Sequence, residues 1–307
     1  MTMSFPGDGL YVIDKPRGPS SHQVTAWIGR ILDRPVGHAG TLDPGVSGVL
    51  VVMSGRAVRL APILLAEEKE YICAIRTHGD VSRYQMEAVI SQFTGRIYQR
   101  PPRKSAVARS LRIRTVHSIE LLDISGRIFL LKIRCDAGTY IRSLCYHMGL
   151  ILGTGAHMEE LRRTRSGNFR EEQAISVQQL ADAVVCARQG SPSPLLEMAH
   201  PLIEGVTSLP RVFVRDSAVD SLCHGADLAV PGISVFDEFP RGAIVALLTS
   251  RDELIGLGTA LHSSKEVPAL KHGLVISPHS IFMEPGTYQR GWRKRRERVP
   301  GSYEAQR

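Results

Sequence analysis

Alternation of apolar and polar residues constrains the fold of this chain more than any other feature of its sequence. The runs KEYICAIRT (69–77) and RIFLLKIRC (127–135) place apolar side chains at every second position. This spacing predicts half-buried strands, because successive side chains of a strand point to opposite faces. The apolar run VLVVM (49–53) predicts a buried strand, whereas VTAWIGRIL (24–32) and YIRSLCYHMGLIL (140–152) have helical spacing. The chain therefore mixes strands with helices.

The composition of the chain changes between about residues 190 and 209. The stretch GSPSPLLEMAHPLIEGVTSLP is rich in Pro, Gly and Ser, which predicts a linker or an irregular connection. Four short strand-like runs follow and are separated by Gly and Pro, as in a small β domain. We therefore expect one domain over residues 1–207, a second over 208–287, and a basic tail over 288–307 whose composition predicts disorder.

The chain carries a surplus of positive charge. Lys and Arg total 38 against 30 Asp and Glu, giving a net charge of +8 and an isoelectric point of about 9.4. Such a balance indicates binding to nucleic acid or to an acidic surface. The segments 100–114 and 162–165 contain basic residues and no acidic ones, so they are candidate phosphate-binding surfaces. The alternative is a solvated basic face.

The cysteines and the apolar segments bear on compartment and on metal binding. The five cysteines form no CxxC pair, which argues against a zinc site, and their odd, scattered arrangement fits a reducing compartment. The first residues lack the pattern of a signal peptide, and no apolar run reaches the length of a membrane span. We expect a cytoplasmic protein with no membrane association and no bound metal.

Four stretches combine backbone-permissive Gly or Pro with charged or hydroxyl side chains. This combination is typical of rigid loops at functional sites. The stretches are KPRGPSSH (15–22), GHAGTLDP (37–44), GTYIRSL (138–144) and LRRTRSG (161–167).

Asp43 is the candidate reactive group of these stretches. Pro44 disfavours helical geometry at Asp43, and Gly40 and Gly48 permit close approach of another backbone or a substrate. Arg142, in the first turn of a predicted helix, is a candidate partner that would keep the carboxylate ionised and oriented. Spacing alone does not show that the two meet. An Asx-turn for Asp43 and an exposed helix position for Arg142 therefore stay open.

Two further residues have two possible roles each. His38 could position the chain or a phosphate, or could be structural. Tyr71 could stack on a base, or could be a half-buried strand aromatic. No paired-carboxylate, metal or Walker-type motif is present in the sequence.

Taken together, the four stretches resemble the TruB/dyskerin family of RNA pseudouridine synthases, in the same order along the chain. GHAGTLDP with the following GVSGVLVV is similar to the family's catalytic loop, and GTYIRSL to its arginine motif. QRPPRKSAVAR (99–109) and CHGADLAVPGI (223–233) resemble the archaeal and eukaryotic branch, which supplies the catalytic subunits of H/ACA guide RNPs; the second is similar to the core of a PUA domain. The short chain favours the archaeal type.

The resemblance implies an α+β fold, in which a catalytic domain with a mixed, mostly antiparallel sheet precedes a small C-terminal β-barrel PUA domain that binds RNA. It implies an isomerase that converts uridine to pseudouridine without a cofactor. The substrate would be tRNA at uridine 55, rRNA selected by an H/ACA guide RNA, or both, with small RNP proteins as partners in the guided case. An RNA-binding scaffold subunit that mainly assembles an RNP is the alternative.

The resemblance also assigns roles to individual residues. Asp43 is the catalytic aspartate, Arg142 its ion-pair partner and Tyr71 the ring that stacks on the uracil. Leu161 helps to enclose the base, and Lys15 and His38 support the loop and the RNA backbone. The further predicted RNA contacts are Arg103, Lys104, Arg109, Arg162 and Arg163. Arg103 and Lys104 replace the Leu-Arg that is usual in the family, and Ala108 replaces a usual Lys, so contacts there differ in detail.

The reaction itself explains why one carboxylate suffices. The bond from uracil N1 to the ribose breaks and is remade from C5, so no atom is gained or lost. A carboxylate can attack the sugar carbon and leave again, or it can take a ribose proton and give a glycal. The base must first leave the RNA stack at a cost of roughly a few kcal/mol, part of which stacking on Tyr71 offsets.

Overall fold

The computed structural model describes residues 8–100 and 110–289. The chain divides into two compact units, Met1–Thr207 and Ser208–Arg307. Three of the predicted RNA contacts, Arg103, Lys104 and Arg109, and nearly all of the predicted tail lie outside the described residues.

The described part of the first unit forms nine strands and six α-helices. The strands are β1 (Gly9–Lys15), β2 (Val36–His38), β3 (Ser47–Ser54), β4 (Lys69–Thr77), β5 (Gly95–Gln99), β6 (Arg112–Ser125), β7 (Ile128–Cys135), β8 (Ala156–Ser166) and β9 (Phe169–Arg170). The helices are α1 (Ser21–Leu32), α2 (Ala61–Ala66), α3 (Arg83–Phe93), α4 (Ile141–Ile151), α5 (Val177–Arg188) and α6 (Ser193–Met198).

All nine strands join one sheet, in the order β1-β3-β8-β4-β7-β6-β5, with β2 paired to β3 and β9 to β8. The pairing of β3 with β8 is parallel, and the other ladders of this sheet are antiparallel. The parallel ladder is short and pairs Ser47 with Arg162 and Gly48 with Arg163. It therefore brings the end of the GHAGTLDP loop directly against the LRRTRSG motif.

Helix α1 begins where a hydroxyl side chain can cap it. Ser20 accepts a hydrogen bond from the Gln23 N–H, and the Gln23 side chain accepts one from the Ser20 N–H, which forms a capping box. The buried residues Val24, Ile28 and Leu32 lie at helical spacing and pack with α5 against β1 and β3. Ser20 is therefore the cap, which leaves Ser21 available for another contact.

A second apolar layer covers β4, β6 and β7 with α3 and α4. Cys73 of β4 and Cys145 of α4 are both fully buried there, and their sulfur atoms lie 3.5 Å apart as free thiols. The hydrogen bond between these thiols, together with burial, raises the pKa of Cys145 well above its ordinary value. The contact joins the strand that carries Tyr71 to the helix that carries Arg142.

The stretch predicted as a linker is ordered over much of its length. It contains α6 and a 3-10 helix at Leu202–Val206. Leu10 and His200 exchange backbone hydrogen bonds of 3.1 and 2.8 Å, and Leu195 and Val206 are buried. Residues 193–206 thus form the irregular connection rather than a linker, because apolar side chains between the prolines pack within the first unit.

The second unit contains one helix and six strands in its described part. They are β10 (Arg211–Val214), α7 (Asp216–Cys223), β11 (Leu228–Ala229), β12 (Ile233–Phe236), β13 (Ile244–Leu248), β14 (Leu254–Ala260) and β15 (Leu274–Ile281). The strands follow the order β11-β15-β14-β13-β10-β12. Side chains from α7 and from every strand meet in one apolar core.

Candidate active site

The loop that carries Asp43 connects β2 to β3, and its glycines are required by close contacts. Gly48 has φ +100°, and a Cβ there would lie 2.2 Å from the Arg163 carbonyl oxygen. Gly40 has φ +99°, and a Cβ there would lie 3.3 Å from Arg163 Nη1. Other residues rarely adopt these angles. The expected close approach of another backbone is confirmed at Gly48, whereas the neighbour at Gly40 is the side chain of the same residue, Arg163.

Ser21 fixes the residue before Asp43. Its buried hydroxyl donates to the Leu42 carbonyl at 3.0 Å and accepts from the Leu42 N–H at 2.8 Å. Sequence reasoning missed this contact. Because Ser20 caps α1, the second hydroxyl of the Ser-Ser pair was the available signal.

Lys15 supports the other side of the loop from inside the protein. Its ammonium group donates to the Val46 carbonyl at 2.7 Å, to Pro16 at 2.8 Å and to Pro44 at 3.4 Å. Burial lowers the pKa of Lys15, while Asp43 acts in the opposite direction. The predicted support of the loop agrees with these bonds. The predicted contact with the RNA backbone does not, because Lys15 is 0% exposed.

Arg142 reaches Asp43 from the first turn of α4. Its Nη2 atom donates to Asp43 Oδ2, and the two side chains are 50% and 56% exposed. The start of α4 is held by Gln99, which exchanges hydrogen bonds of 3.1 and 2.9 Å with the backbone of Tyr140. Arg142 and Asp43 therefore form the ion pair that sequence spacing left open, and about half of each side chain is open to solvent.

Tyr71 and Leu161 lie beside the Asp43 loop on neighbouring strands. They are 8% and 9% exposed and share an apolar cluster with Leu42 and Val46, which flank Asp43. Burial raises the pKa of Tyr71, and the charge of Arg163 partly opposes this. The structure thus brings together the carboxylate, the aromatic ring and the apolar side chain that the family resemblance implied.

Arg163 does not lie where a phosphate could reach it. It is 1% exposed, and its guanidinium donates to the carbonyls of Val49 at 2.7 Å and Gly40 at 2.9 Å. The expected RNA contact is wrong for this residue. The reason is strand geometry, because Arg163 points inward from β8 while its neighbour Arg162 points the other way.

Arg162 is partly exposed but already paired. It donates to both carboxylate oxygens of Asp14, at 2.9 and 3.1 Å, and to Glu171 at 2.7 Å. The hydrogen bond with Asp14 raises the pKa of Arg162, as does Glu171. Two acids therefore compensate its charge, which argues against its prediction as an RNA-binding cation.

Lys69 is a buried cation that sequence reasoning missed. It is 3% exposed, and its ammonium group donates to the carbonyls of Glu67 at 2.7 Å and Leu64 at 3.1 Å. Burial, reinforced by Arg163, lowers its pKa to about 7. A lysine at an inward position of an alternating strand was the available signal.

One side of the His38 ring is shielded from solvent. Its Nδ1 atom is buried with no hydrogen-bond partner in the described ranges, and its ring meets His22 edge-on at 5.1 Å between centroids. Burial lowers the pKa of His38, and His22 and Arg163 lower it further. The neutral imidazole is favoured, and a role in supporting RNA stays a prediction.

A groove of about 590 Å³ opens beside Arg142. Its lining combines aromatic, cationic and apolar groups. They are Tyr98, Arg100, Leu111, Arg142, Ser143, Tyr146, His147, Ala156, His157 and Met158.

Within the described ranges, no group of His, Cys, Asp and Glu side chains has the arrangement of a metal site. None of the helices described is both long and apolar enough to span a bilayer.

Three family models match consecutive parts of the chain. They are the N-terminal domain of TruB family pseudouridylate synthases over residues 30–141, the C-terminal domain of tRNA pseudouridylate synthase B over 142–207, and the PUA domain over 210–282. The fold and the site thus define an RNA-modifying isomerase with an added PUA domain.

Relatives and solved structures agree over nearly the whole chain. Proteins named probable tRNA pseudouridine synthase B from Archaeoglobus fulgidus and Methanothermobacter thermautotrophicus are 44% and 46% identical to it, over 93% of this chain and 89% of theirs. A chain of an H/ACA RNP bound to a substrate RNA containing 2′-deoxyuridine is 43% identical, with a TM-score of 0.86 over 92% of this chain and 88% of that one. A chain of a Cbf5-Nop10-Gar1 complex is 46% identical, with a TM-score of 0.85 over 90% and 85%.

This chain belongs to the TruB family of pseudouridylate synthases. The prediction of a pseudouridine synthase of the archaeal TruB and Cbf5 type is confirmed. The predicted α+β fold, with a mostly antiparallel catalytic sheet followed by a PUA domain, is confirmed as well.

Proposed function

We propose that Asp43, Arg142 and Tyr71 carry the pseudouridine synthase reaction of this chain. The observation that supports this most is the ion pair between Asp43 and Arg142, on a loop held from inside by Ser21, Lys15 and Arg163. A carboxylate that is oriented by a guanidinium and open to solvent is poised to meet an incoming ribose.

Asp43 acts on the sugar while the base stays in the site. Its carboxylate attacks ribose C1′ or takes a ribose proton, and the bond from C1′ to uracil N1 breaks. The uracil turns and bonds to C1′ through C5, while the bond from Asp43 to C1′ breaks or, in the glycal route, Asp43 returns the proton to the ribose. C5 then loses its proton while N1 gains one. Both routes need an ionised carboxylate, and the ion pair with Arg142 orients it.

Tyr71 and Leu161 hold the detached uracil. The Tyr71 ring offers a stacking surface, and Leu161 closes the apolar side of the same pocket. Both are almost buried in the free protein.

The remaining proposed RNA contacts come from the cationic segment after β5. Arg103, Lys104 and Arg109 carry its positive charge, and phosphate binding by such groups makes affinity fall as salt rises. His38 is proposed to support the RNA backbone beside the loop. Arg162 and Arg163 are left out of this surface because their charges are used inside the protein.

We propose two sources for the uridine. The curated relatives are named for tRNA, which favours uridine 55 of tRNA. The similar solved chains belong to an H/ACA RNP with substrate RNA and to complexes with Nop10 and Gar1. These favour rRNA modification with a guide RNA and small partner proteins. A scaffold subunit that only assembles an RNP is disfavoured by the intact ion pair.

We also propose that the protein is located in the cytoplasm, because its five cysteines are free thiols, as in a reducing compartment.

The catalytic assignment is tested by replacing Asp43 with asparagine. Asp43→Asn keeps the size of the side chain but removes the charge that reacts, so we expect pseudouridine formation to fall below detection while RNA binding is retained. Asp80→Asn is the matched control, because Asp80 also pairs with an arginine, Arg127, on an exposed surface. Pseudouridine is measured by chemical mapping of the product RNA. Turnover at the wild-type level in Asp43→Asn would refute the proposed mechanism.

A further inference from the structure

Arg163 is a buried cation whose partners in the described structure are uncharged. Burial is the main cause that lowers its pKa, and Tyr71 is the one group that raises it. Taking a charge out of water without an opposite charge is costly. The bonds that Arg163 makes must therefore offset this cost, and all of them go to the elements that carry Asp43 and Tyr71.

Two of these bonds close the Asp43 loop at both ends. Arg163 Nη2 donates to the carbonyl of Gly40, three residues before Asp43, at 2.9 Å. Its Nε atom donates to the carbonyl of Val49, six residues after Asp43, at 2.7 Å. A planar guanidinium fixes both acceptors at once, because its donors form a rigid fork.

The third contact reaches the strand that carries the proposed stacking ring. Tyr71 and Arg163 are paired residues of the antiparallel β4 and β8, and the charge of Arg163 opposes the rise in the pKa of Tyr71 that burial causes. One side chain therefore bonds the loop of the carboxylate and lies opposite the residue that carries the ring.

We propose that Arg163 is a positioning residue, which sets the place of Asp43 relative to Tyr71 without touching the RNA. The inference rests on the proposed roles of those two residues. A direct role in RNA binding does not fit a side chain with 1% exposure. Misplacement of a reactive group by about 1 Å can lower a rate roughly a hundredfold, so such a clamp acts on turnover rather than on RNA affinity.

A double-mutant cycle of Arg163→Lys and Tyr71→Phe tests the proposal. Lysine keeps the charge but cannot bond both carbonyls in the fork geometry, and phenylalanine keeps the ring but loses the hydroxyl. We expect each single change to lower kcat about tenfold or more, with KM for RNA within about twofold. The kcat of the double variant should be close to that of the less active single variant, because both changes remove the contact that we propose between Arg163 and Tyr71.

Arg56→Lys is the matched control, since Arg56 bonds Asp8 just beyond β3 and takes no part in the loop. It should keep wild-type kcat, and melting curves should show that every variant is folded at the assay temperature. Additive effects in the cycle, or a change in KM alone, would overturn the proposal. If Arg163→Lys does not fold, Tyr71→Phe decides alone, and unchanged kcat there refutes the coupling. Failure of the wild-type protein to isomerise, or activity in Asp43→Asn, would instead refute the proposed function.

Discussion

Lys69 gives the protein a stability that depends on pH near neutrality. Its pKa is about 7 in the folded protein, against 10.5 for an ordinary lysine. Between these values the unfolded chain binds more protons than the folded one, so the free energy of unfolding rises with pH. Relative to Lys69→Met, the wild-type protein should gain roughly 1 to 2 kcal/mol between pH 7 and pH 8.5, measured by denaturant unfolding.

The pH window for this measurement ends below the range in which Cys135 contributes. Burial raises the pKa of Cys135 from 9.0 to about 12, which makes stability fall above pH 9. Lys132→Met on the adjacent β7 is the control, because Lys132 is 43% exposed and should leave the slope unchanged. If the stability difference between wild type and Lys69→Met does not change with pH, the pKa of Lys69 is not lowered in the folded protein.

Single residues were predictable from sequence only where a motif carried them. The short stretch around Asp43 and the family resemblance of GTYIRSL identified Asp43 and Arg142. Ser21 and Lys69 were missed because their bonds go to backbone carbonyls and amides, which a sequence motif does not identify.

At the level of elements, the motif LRRTRSG was interpreted as a cationic surface. Most of it belongs to strand β8, in which some side chains face the interior. In β8 the side chains of Leu161 and Arg163 are buried, whereas Arg162 between them is partly exposed. Period-two alternation therefore separates two adjacent arginines into different environments. Charge density along the sequence predicted binding for both, because it ignores which side of the sheet each residue occupies.

Gly48 allows β3 and β8 to run side by side, and its replacement tests this junction. Gly48→Ala should lower the free energy of unfolding by roughly 3 kcal/mol or more, because the new Cβ would stand 2.2 Å from a backbone oxygen at φ +100°. The measurement is denaturant unfolding of the whole chain.

Gly126→Ala separates backbone strain from the steric clash in that test. Gly126 also has a positive φ, +58°, but a Cβ there would meet nothing within 4 Å. We expect it to cost only about 1 kcal/mol, the range for strain alone. Equal losses for Gly48→Ala and Gly126→Ala would contradict the proposed close packing of β3 on β8.

At the scale of the whole molecule, local patterns located most strands, and the resemblance implied a mostly antiparallel sheet, but neither gave the order in which the strands pair. The parallel contact of β3 with β8 joins residues more than a hundred positions apart, and alternation carries no information on such partners. The stretch after residue 190 stayed open between two alternatives because its prolines conceal buried apolar residues. We propose that the units Met1–Thr207 and Ser208–Arg307 are the catalytic and the PUA domain.

The choice of RNA is also a property of the whole molecule. We expect the full chain to convert rRNA uridines only when an H/ACA guide RNA and small RNP proteins are supplied, because rRNA sites are chosen by pairing with the guide. Conversion of uridine 55 in tRNA should need no guide. Mapping of pseudouridine in both RNAs, with and without guide, checks this, with Asp43→Asn as the inactive control. Absence of tRNA conversion without guide would remove the stand-alone role.

The half-exposed ion pair of Asp43 and Arg142 makes the electrostatics of the site depend on the substrate. With 56% and 50% of these side chains open to water, the solvent screens their attraction in the free protein. Two unit charges 4 Å apart attract by about 1 kcal/mol in bulk water and by about 4 kcal/mol at an effective dielectric constant of 20. We expect a nucleotide that binds over the pair, as proposed, to displace that water, so that the RNA insulates the site and strengthens the contact that orients the carboxylate.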